Sequence, residues 1–332
     1  MSENNGVLIY GEVNGEKLSA LTTELLGCGR KLADDLGQEL VTVLAGSELS
    51  NPIREAIAFG ADKVYLVDDP LLKAYQTDFY LSVMEKVAQQ ATPQIILLGQ
   101  TSIGRDLAPV LAFRLKTAAI LDCVALNIDP DSKRLHQTKP VYGGNIQAIF
   151  ITESDPQIAT VRAKVTIPLA PDTSRRGEVI NIKANLDPSA IRSKVLEQTK
   201  DEVSGTKLEE ATVVISGGRG IGSPEGFKQL AKLAELLKGA VGATRPACDN
   251  GWALGSAQVG LTGKIVSPDF YLAVGISGAS QHLTGCSGAK TIVAINTDPE
   301  ANIFKQAHYG IVGDWKKVLP AFTEKIKELL AE

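Results

Sequence analysis

The sequence predicts a two-domain α/β protein: an N-terminal, mostly parallel sheet domain with antiparallel additions, followed by a smaller doubly wound α/β domain. Three observations carry that expectation. Short apolar runs alternate with helix-period segments as far as Leu115, which is the rhythm of a parallel sheet covered on both faces. Periodicity fades from Ile167 to about Gly205, where Pro168, Pro171 and Pro188 stand among polar residues. At Thr212 the pattern restarts as strand, glycine-rich turn and helix. The expected domains are therefore residues 1–204 and 205–332, with about 167–204 as the linker.

The elements follow in order. Val7–Tyr10 reads as a strand, and Leu18, Leu21, Leu25, Leu32 and Leu36 mark a helix closed by Gly37. Leu40–Leu44 and Val64–Val67 are strands, with a short helix opening at Asn51-Pro52 between them. Asp78 starts a helix to Gln90, Ile95–Leu98 is a buried strand, and Ile103–Leu115 is a helix. After Ala119 the helices stop. Ile120–Ile128, Val141–Tyr142, Gln147–Thr152 and Ala159–Ala163 read as strands that add to the sheet antiparallel.

In the second domain Thr212–Ile215 is a strand, and Ser223-Pro224-Glu225 starts a helix that ends at Lys238-Gly239. Ala240–Ala243, Phe270–Val274, Thr291–Ile295 and Gly310–Val312 are further strands, and a final helix runs from about Trp315 to Leu330.

Composition narrows the function. The 332 residues are 44% hydrophobic and 22% charged, a mix that fits packed cores. Lys plus Arg is 34 against 38 Asp plus Glu, so the net charge of -4 offers no pull toward nucleic acid or an anionic membrane. No apolar run is long enough to span a bilayer, and the polar start Met1–Asn5 lacks the form of a secretory signal, which points to the cytoplasm. Cys28, Cys123, Cys248 and Cys286 are widely spaced and read as buried thiols. With His136, His282 and His308 as the only histidines, no metal site is expected.

The chemistry concentrates between Ser216 and Asp314. The turn Ser216-Gly217-Gly218-Arg219-Gly220-Ile221-Gly222 lies between a strand and a helix, where backbone N–H groups favour a phosphate. It matches neither the P-loop nor the Rossmann fingerprint, and it serves equally well as a packing device. Thr244-Arg245-Pro246 follows the next strand. Gln258 to Lys264 and Gly275 to His282 supply two further small-residue loops. Asn296-Thr297-Asp298-Pro299 and Gly313-Asp314 follow the last strands. Polar groups thus recur at strand ends on one edge of the sheet, where open α/β sheets bind ligands. His136 reads as surface and His308 as packing or solvated. Lys264 is open between packing and phosphate, and Arg105-Asp106 reads as a helix-start pair.

At these loops the sequence closely resembles the alpha subunits of electron transfer flavoproteins. Val241 to Arg245, Gln258 to Val266, Ala273 to Leu283 and Thr291 to Ala301 are similar to that family's flavin-binding segments. The likeness is strongest over about Val213–Pro320, and Gly99 with Arg105 to Pro109 carries it more loosely in the first domain.

The resemblance implies one FAD in the second domain and a beta subunit, itself holding AMP or a second FAD, against the first. It implies that Arg219 and Thr244 contact the cofactor and that Arg245 lies against the isoalloxazine ring. Gln258, Val259, Gly260, Leu261 and Thr262 form a wrapping loop, with the Thr262 hydroxyl near flavin N5. Ser277, Gly278, Ala279, Ser280, Gln281 and His282 hold the diphosphate and pyrimidine edge, while Asn296, Asp314 and Trp315 hold the adenosine end. Arg245, Thr262 and His282 would tune the flavin, since charge near its N1 and N5 governs its electronics. Leu261 stands where many relatives carry a polar residue, and Thr244 replaces a frequent serine.

The implied role is an electron carrier rather than a stand-alone enzyme. Its donors would be acyl-CoA dehydrogenases, or NADH in a bifurcating complex that also serves ferredoxin and an acyl-CoA reductase. The run from Thr244 to Trp252 leans toward the bifurcating branch. Two alternatives stand beside it: a nicotinamide-dependent oxidoreductase and an adenine-nucleotide-binding regulatory module.

Overall fold

The computed structural model describes residues 4–144, 146–187, 189, 195, 197 and 206–331. The chain forms two compact units, residues 1–141 with 146–198, and residues 142–145 with 199–332. The end of the expected linker, including Pro188 and most of Ser193–Ser204, lies outside the described residues.

Unit 1 opens with β1 (Val7–Gly11) and a small hairpin, β2 (Val13–Asn14) and β3 (Lys17–Leu18). Next come α1 (Ala20–Leu36), β4 (Leu40–Gly46), α2 (Ser50–Ala58), β5 (Lys63–Asp68), α3 (Thr77–Ala91), β6 (Ile95–Gly99) and α4 (Ser102–Arg114). Leu18 thus sits in the hairpin, and Ser19 caps α1 by accepting from the Thr22 N–H. The helices end with β7 (Ala119–Cys123), β8 (Ala125–Ile128), β9 (Leu135–Val141), β10 (Ile146–Phe150), β11 (Gln157–Val161) and β12 (Glu178–Asn181).

Seven strands make one parallel sheet in the order β12-β5-β4-β1-β6-β11-β7. Alternate residues of β1 feed its two faces. Leu8 and Tyr10 pack under α3 and α4, and Val7 and Ile9 under α1 and α2.

Two expectations are corrected here. β7 and β11 are parallel members of the main sheet, whereas β8, β9 and β10 form a separate antiparallel sheet. A single apolar run, Ile120–Ile128, divides between two sheets because Asp122 turns the chain at positive φ and binds Arg162 of the segment after β11 at 2.7 Å. The stretch expected as linker also contains β12, an edge strand pairing with β5.

Unit 2 contains β13 (Val213–Gly217), α5 (Pro224–Leu236), β14 (Ala240–Ala243), α6 (Arg245–Asp249), β15 (Phe270–Val274), α7 (Ser280–Cys286), β16 (Thr291–Asn296), β17 (Tyr309–Val312) and α8 (Trp315–Ala331). Its five strands are parallel in the order β14-β13-β15-β16-β17. One face packs on Phe227, Leu230 and Leu233 of α5 and on Trp315 and Leu319 of α8. The other carries Tyr271, Ala273 and Cys286 with Val259, Val266 and Ile303.

Both sheets reverse their strand order next to their first strand, between β1 and β6 and between β13 and β15, and the crevice at such a reversal is the standard ligand position. In unit 1 that position holds a carboxyl group. Glu12, just after β1, accepts a 2.6 Å hydrogen bond from Thr101, the residue that caps α4 through the Gly104 N–H. Burial raises the Glu12 pKa to about 6, and the Thr101 hydroxyl only partly offsets it. A phosphate at this helix start would face a carboxylate.

Because folding raises this pKa above the unfolded value of 4.5, the folded state holds the proton more tightly, and its contribution to stability is lost as pH rises through about 6. Glu12→Gln is therefore expected to gain on the wild type, by roughly 1–2 kcal/mol, as denaturant midpoints are compared from acid to neutral pH. A difference independent of pH would contradict this.

Candidate functional site

A cavity of about 640 Å³ lies at the carboxyl ends of the unit 2 strands. That volume is in the range of small-molecule and cofactor sites. Its walls are the turns after β13, β14 and β15, the Gln258–Thr262 segment, the start of α7, and Asn296 at the end of β16.

The turns after β13 and β15 lie backbone against backbone. The Gly218 N–H donates to the Val274 carbonyl at 2.9 Å and the Gly220 N–H to the Gly275 carbonyl at 3.0 Å. A Cβ on Gly218 would stand 2.2 Å from the Gly275 oxygen, so no larger residue fits without moving one turn. The N–H groups of Gly218, Gly220, Ile221 and Gly222 are all used inside the protein. The glycine-rich turn is thus a packing device, and its expected role as a phosphate cradle is not what these N–H groups do.

Thr244 joins β14 to α6. Its N–H donates to the Gly217 carbonyl at 3.0 Å; the residue lines the cavity, and its buried Oγ1 has no hydrogen-bond partner in the protein. Such an orphan hydroxyl costs free energy unless a ligand meets it. Pro246 in the first turn of α6 fixes the bend. Arg245 also lines the cavity. Its side chain is 66% exposed and its nearest counter-charge, Asp249, is 3.5 Å from Nε.

The Gln258–Thr262 segment is tied down at both ends. Val259 N–H donates to Ala243, Gly260 N–H to Lys264, and Leu261 N–H to Gln281. Gln258 Nε2 donates to Thr262 Oγ1 at 3.0 Å, which leaves the threonine O–H to serve a ligand. Lys264 is ion-paired with Glu209 at 2.8 Å, so packing is its role.

His282 lines the cavity but is buried, and both ring nitrogens are occupied. Nδ1 lies 3.0 Å from the Val259 carbonyl and Nε2 lies 2.9 Å from the Tyr271 hydroxyl. A carbonyl only accepts, so Nδ1 carries the proton and Nε2 accepts from Tyr271. Burial drives the ring pKa down to about 4, against a smaller upward effect of the Val259 bond. The ring is neutral at pH 7, and the expectation that it brings charge to the site is corrected. Arg219 and Arg245 are the cations that line the cavity.

Of the residues expected at the site, Arg219, Thr244, Arg245, Gln258 to Thr262, Ser277, Ala279, Gln281, His282 and Asn296 come together around this space. Gly278, Ser280, Asp314 and Trp315 do not line it. Asp314 accepts from the Lys316 N–H at the start of α8, and Trp315 is buried with its indole N–H donating to Gly220. Asn296 braces the loop after β15, donating to Ile276 and accepting from Asp298. Gly218, Gly220, Pro246, Gly275 and Ile276 also line the cavity. Their small size and their places beside expected residues were the signal for them. Asp106, on α4, accepts from Tyr75 and Thr77 within unit 1.

A second cavity of about 810 Å³ runs beside β14 and α5, lined by Phe227, Trp252 and several lysines. Among the described residues no group of His, Cys, Asp and Glu could hold a metal ion, and no helix is long and apolar enough to cross a membrane.

Comparison with known proteins places this geometry. The electron transfer flavoprotein domain model matches residues 7–187, and the electron transfer flavoprotein FAD-binding domain model matches residues 207–287. The electron transfer flavoprotein subunit alpha of Thermoanaerobacterium thermosaccharolyticum is 46% identical over 330 residues, covering 99% of this chain and 100% of that protein. Those of Megasphaera elsdenii and Bacillus subtilis are 44% and 43% identical, over 99% and 97% of this chain and 98% of each relative.

Gly278 tests whether the loop after β15 is held as described. It has a φ of +82°, and a Cβ there would stand 2.2 Å from the Ile303 nitrogen. Gly278→Ala is expected to cost more than about 1 kcal/mol in thermal or denaturant unfolding. An unchanged midpoint would show that the loop packs otherwise.

Proposed function

The chain belongs to the electron transfer flavoprotein alpha-subunit family, and on that premise we propose that the cavity of unit 2 holds one FAD through which the protein passes electrons. The observation that carries the reading is the buried, unpartnered Thr244 hydroxyl in a lining of small residues flanked by two arginines. A dinucleotide suits these features: backbone can approach its flat rings, a hydroxyl can meet a polar ring edge, and cations can face its negative charges.

When bound, FAD supplies reversible electron uptake at its ring system, which no protein side chain here provides. This chain's residues bind and bias it. Arg245 supplies positive charge where reduction adds negative charge, and the low-dielectric wall of Val259 and Ile276 strengthens that effect. Thr244 and Thr262 each offer a hydroxyl. The start of α7, at Ala279 and Gln281, brings the positive end of its dipole to the cavity wall, where a diphosphate is favoured. Asp314 and Trp315 act indirectly, Trp315 by holding Gly220.

We assign the beta subunit to unit 1. Edge strand β10 carries Ile146, Ile149 and Phe150 toward solvent, with Ile149 62% exposed, a surface suited to burial against a partner. In this reading the partner holds AMP or a second FAD, and the donor is an acyl-CoA dehydrogenase or NADH. A nicotinamide-dependent oxidoreductase is less well supported, because the site histidine is neutral and fully engaged. A nucleotide-binding role for unit 1 is opposed by Glu12.

Two measurements test the proposal. The heterodimer purified with its partner is expected to show visible flavin bands that bleach on reduction. Two FAD per pair would support the bifurcating branch, and one FAD with AMP would reject it. Arg245→Ala is expected to lower the first one-electron potential by on the order of 50 mV, close to the 59 mV of a tenfold change in equilibrium. An unchanged potential would remove Arg245 from the ring.

A further inference from the structure

The Tyr271 side chain reaches His282 from beneath the site. It projects from β15, is fully buried, and lies among Ala273, Cys286 and Val259 in the core. Its hydroxyl meets His282 Nε2 at 2.9 Å, and His282 Nδ1 meets the Val259 carbonyl at 3.0 Å. The Val259 segment is further joined to α7 by the Leu261–Gln281 and Val266–Gly285 hydrogen bonds, both 2.8 Å. Close packing reinforces the junction: a Cβ on Gly285 would stand 2.3 Å from the Gly260 nitrogen.

We infer that Tyr271 is a positioning residue of the cofactor site: its hydroxyl braces the His282 ring at Nε2, and His282 in turn donates from Nδ1 to the Val259 carbonyl and so holds the loop that lines the cavity. The inference rests on the flavin reading for its effect on binding, but the hydrogen-bond chain stands on geometry alone. The chain has a fixed direction. Tyr271 can only donate to a nitrogen that lacks a proton, and Val259 can only accept from one that has it. Reversing the tautomer would break the Val259 bond, because a carbonyl cannot donate to Nδ1, while Tyr271 would have to turn from donor to acceptor at Nε2. A protonated ring would force Tyr271 from donor to acceptor and would set a charge in an apolar wall. The groups around this pin are Tyr271 on β15 and Val259 on the loop, with Ser216 of β13 and Cys286 of α7 beside Tyr271; none carries charge at neutral pH. The loop is therefore held by a pin that does not titrate in the neutral range, and burial, which lowers the ring pKa, acts the same way.

The test uses the full chain with its companion subunit and FAD, as wild type and as Tyr271→Phe. With three histidines in the chain, His136→Gln and His308→Gln assign the ring nitrogen signals in long-range ¹H–¹⁵N spectra. In the wild type, His282 is expected to show a proton on Nδ1 and none on Nε2 from about pH 5.5 to about pH 8. In Tyr271→Phe the Nε2 signal is expected to shift toward that of a nitrogen without a donor. The FAD dissociation constant is expected to rise roughly fivefold to tenfold, the scale of one buried hydrogen bond. A wild-type ring that is doubly protonated near pH 6.5, or protonated on Nε2, overturns the inference without any variant. An altered ring with unchanged FAD affinity overturns the link to the site. If the wild type takes up no FAD, the flavin reading fails, while the ring spectra still decide whether Tyr271 engages Nε2 of His282.

Discussion

The backbone of the turn after β13 rests on the backbone of the turn after β15, and the rest of the site depends on that contact. Gly218 and Gly220 donate to the carbonyls of Val274 and Gly275, and a Cβ on Gly218 would collide with the Gly275 oxygen at 2.2 Å. The contact sits where the strand order reverses, beside the crevice at the strand ends. Trp315 holds Gly220 from one side of the sheet, and His282 with Tyr271 holds the Val259 loop from the other. The glycines shape the site, and the functional groups come from neighbouring loops.

The two units obey one topological rule and differ in charge at the place it designates. In unit 1 a carboxyl from Glu12 meets the cap of α4. In unit 2 the same position is bare backbone, with Arg219 and Arg245 at the edge and an unpartnered Thr244 hydroxyl in the wall. A phosphate-bearing ligand is repelled from the first crevice and favoured in the second. This contrast follows from a few residues at strand ends, while the sheets behind them are built from interchangeable apolar side chains.

Much of this was legible in the sequence. Parallel strands buried on both faces read as unbroken apolar runs, which is why β1, β4, β6, β13, β15 and β16 were expected within a residue or two. Loops with small and polar residues at strand ends marked the site. The failures have physical causes. The four-residue edge strand β12 has only Val179 and Ile180 as its signal. The run Ile120–Ile128 hides a change of sheet, because the Asp122 turn depends on an ion pair with a distant arginine. His282 sits in a loop that suggests a ligand contact, yet its protonation depends on Tyr271, eleven residues earlier, and on a carbonyl whose position only the folded loop defines. Trp315 follows a strand end, but its indole turns into the core.

We propose that the flavin dinucleotide occupies the crevice of unit 2 and leaves that of unit 1 untouched. Hydrogen–deuterium exchange of the full chain with its companion subunit, with and without FAD, reads location directly. The account predicts slower exchange on FAD binding at residues 244–246, 258–262 and 275–282, with residues 11–12 and 99–101 unchanged. Protection confined to the latter two segments, or no protection in the former three, would contradict it.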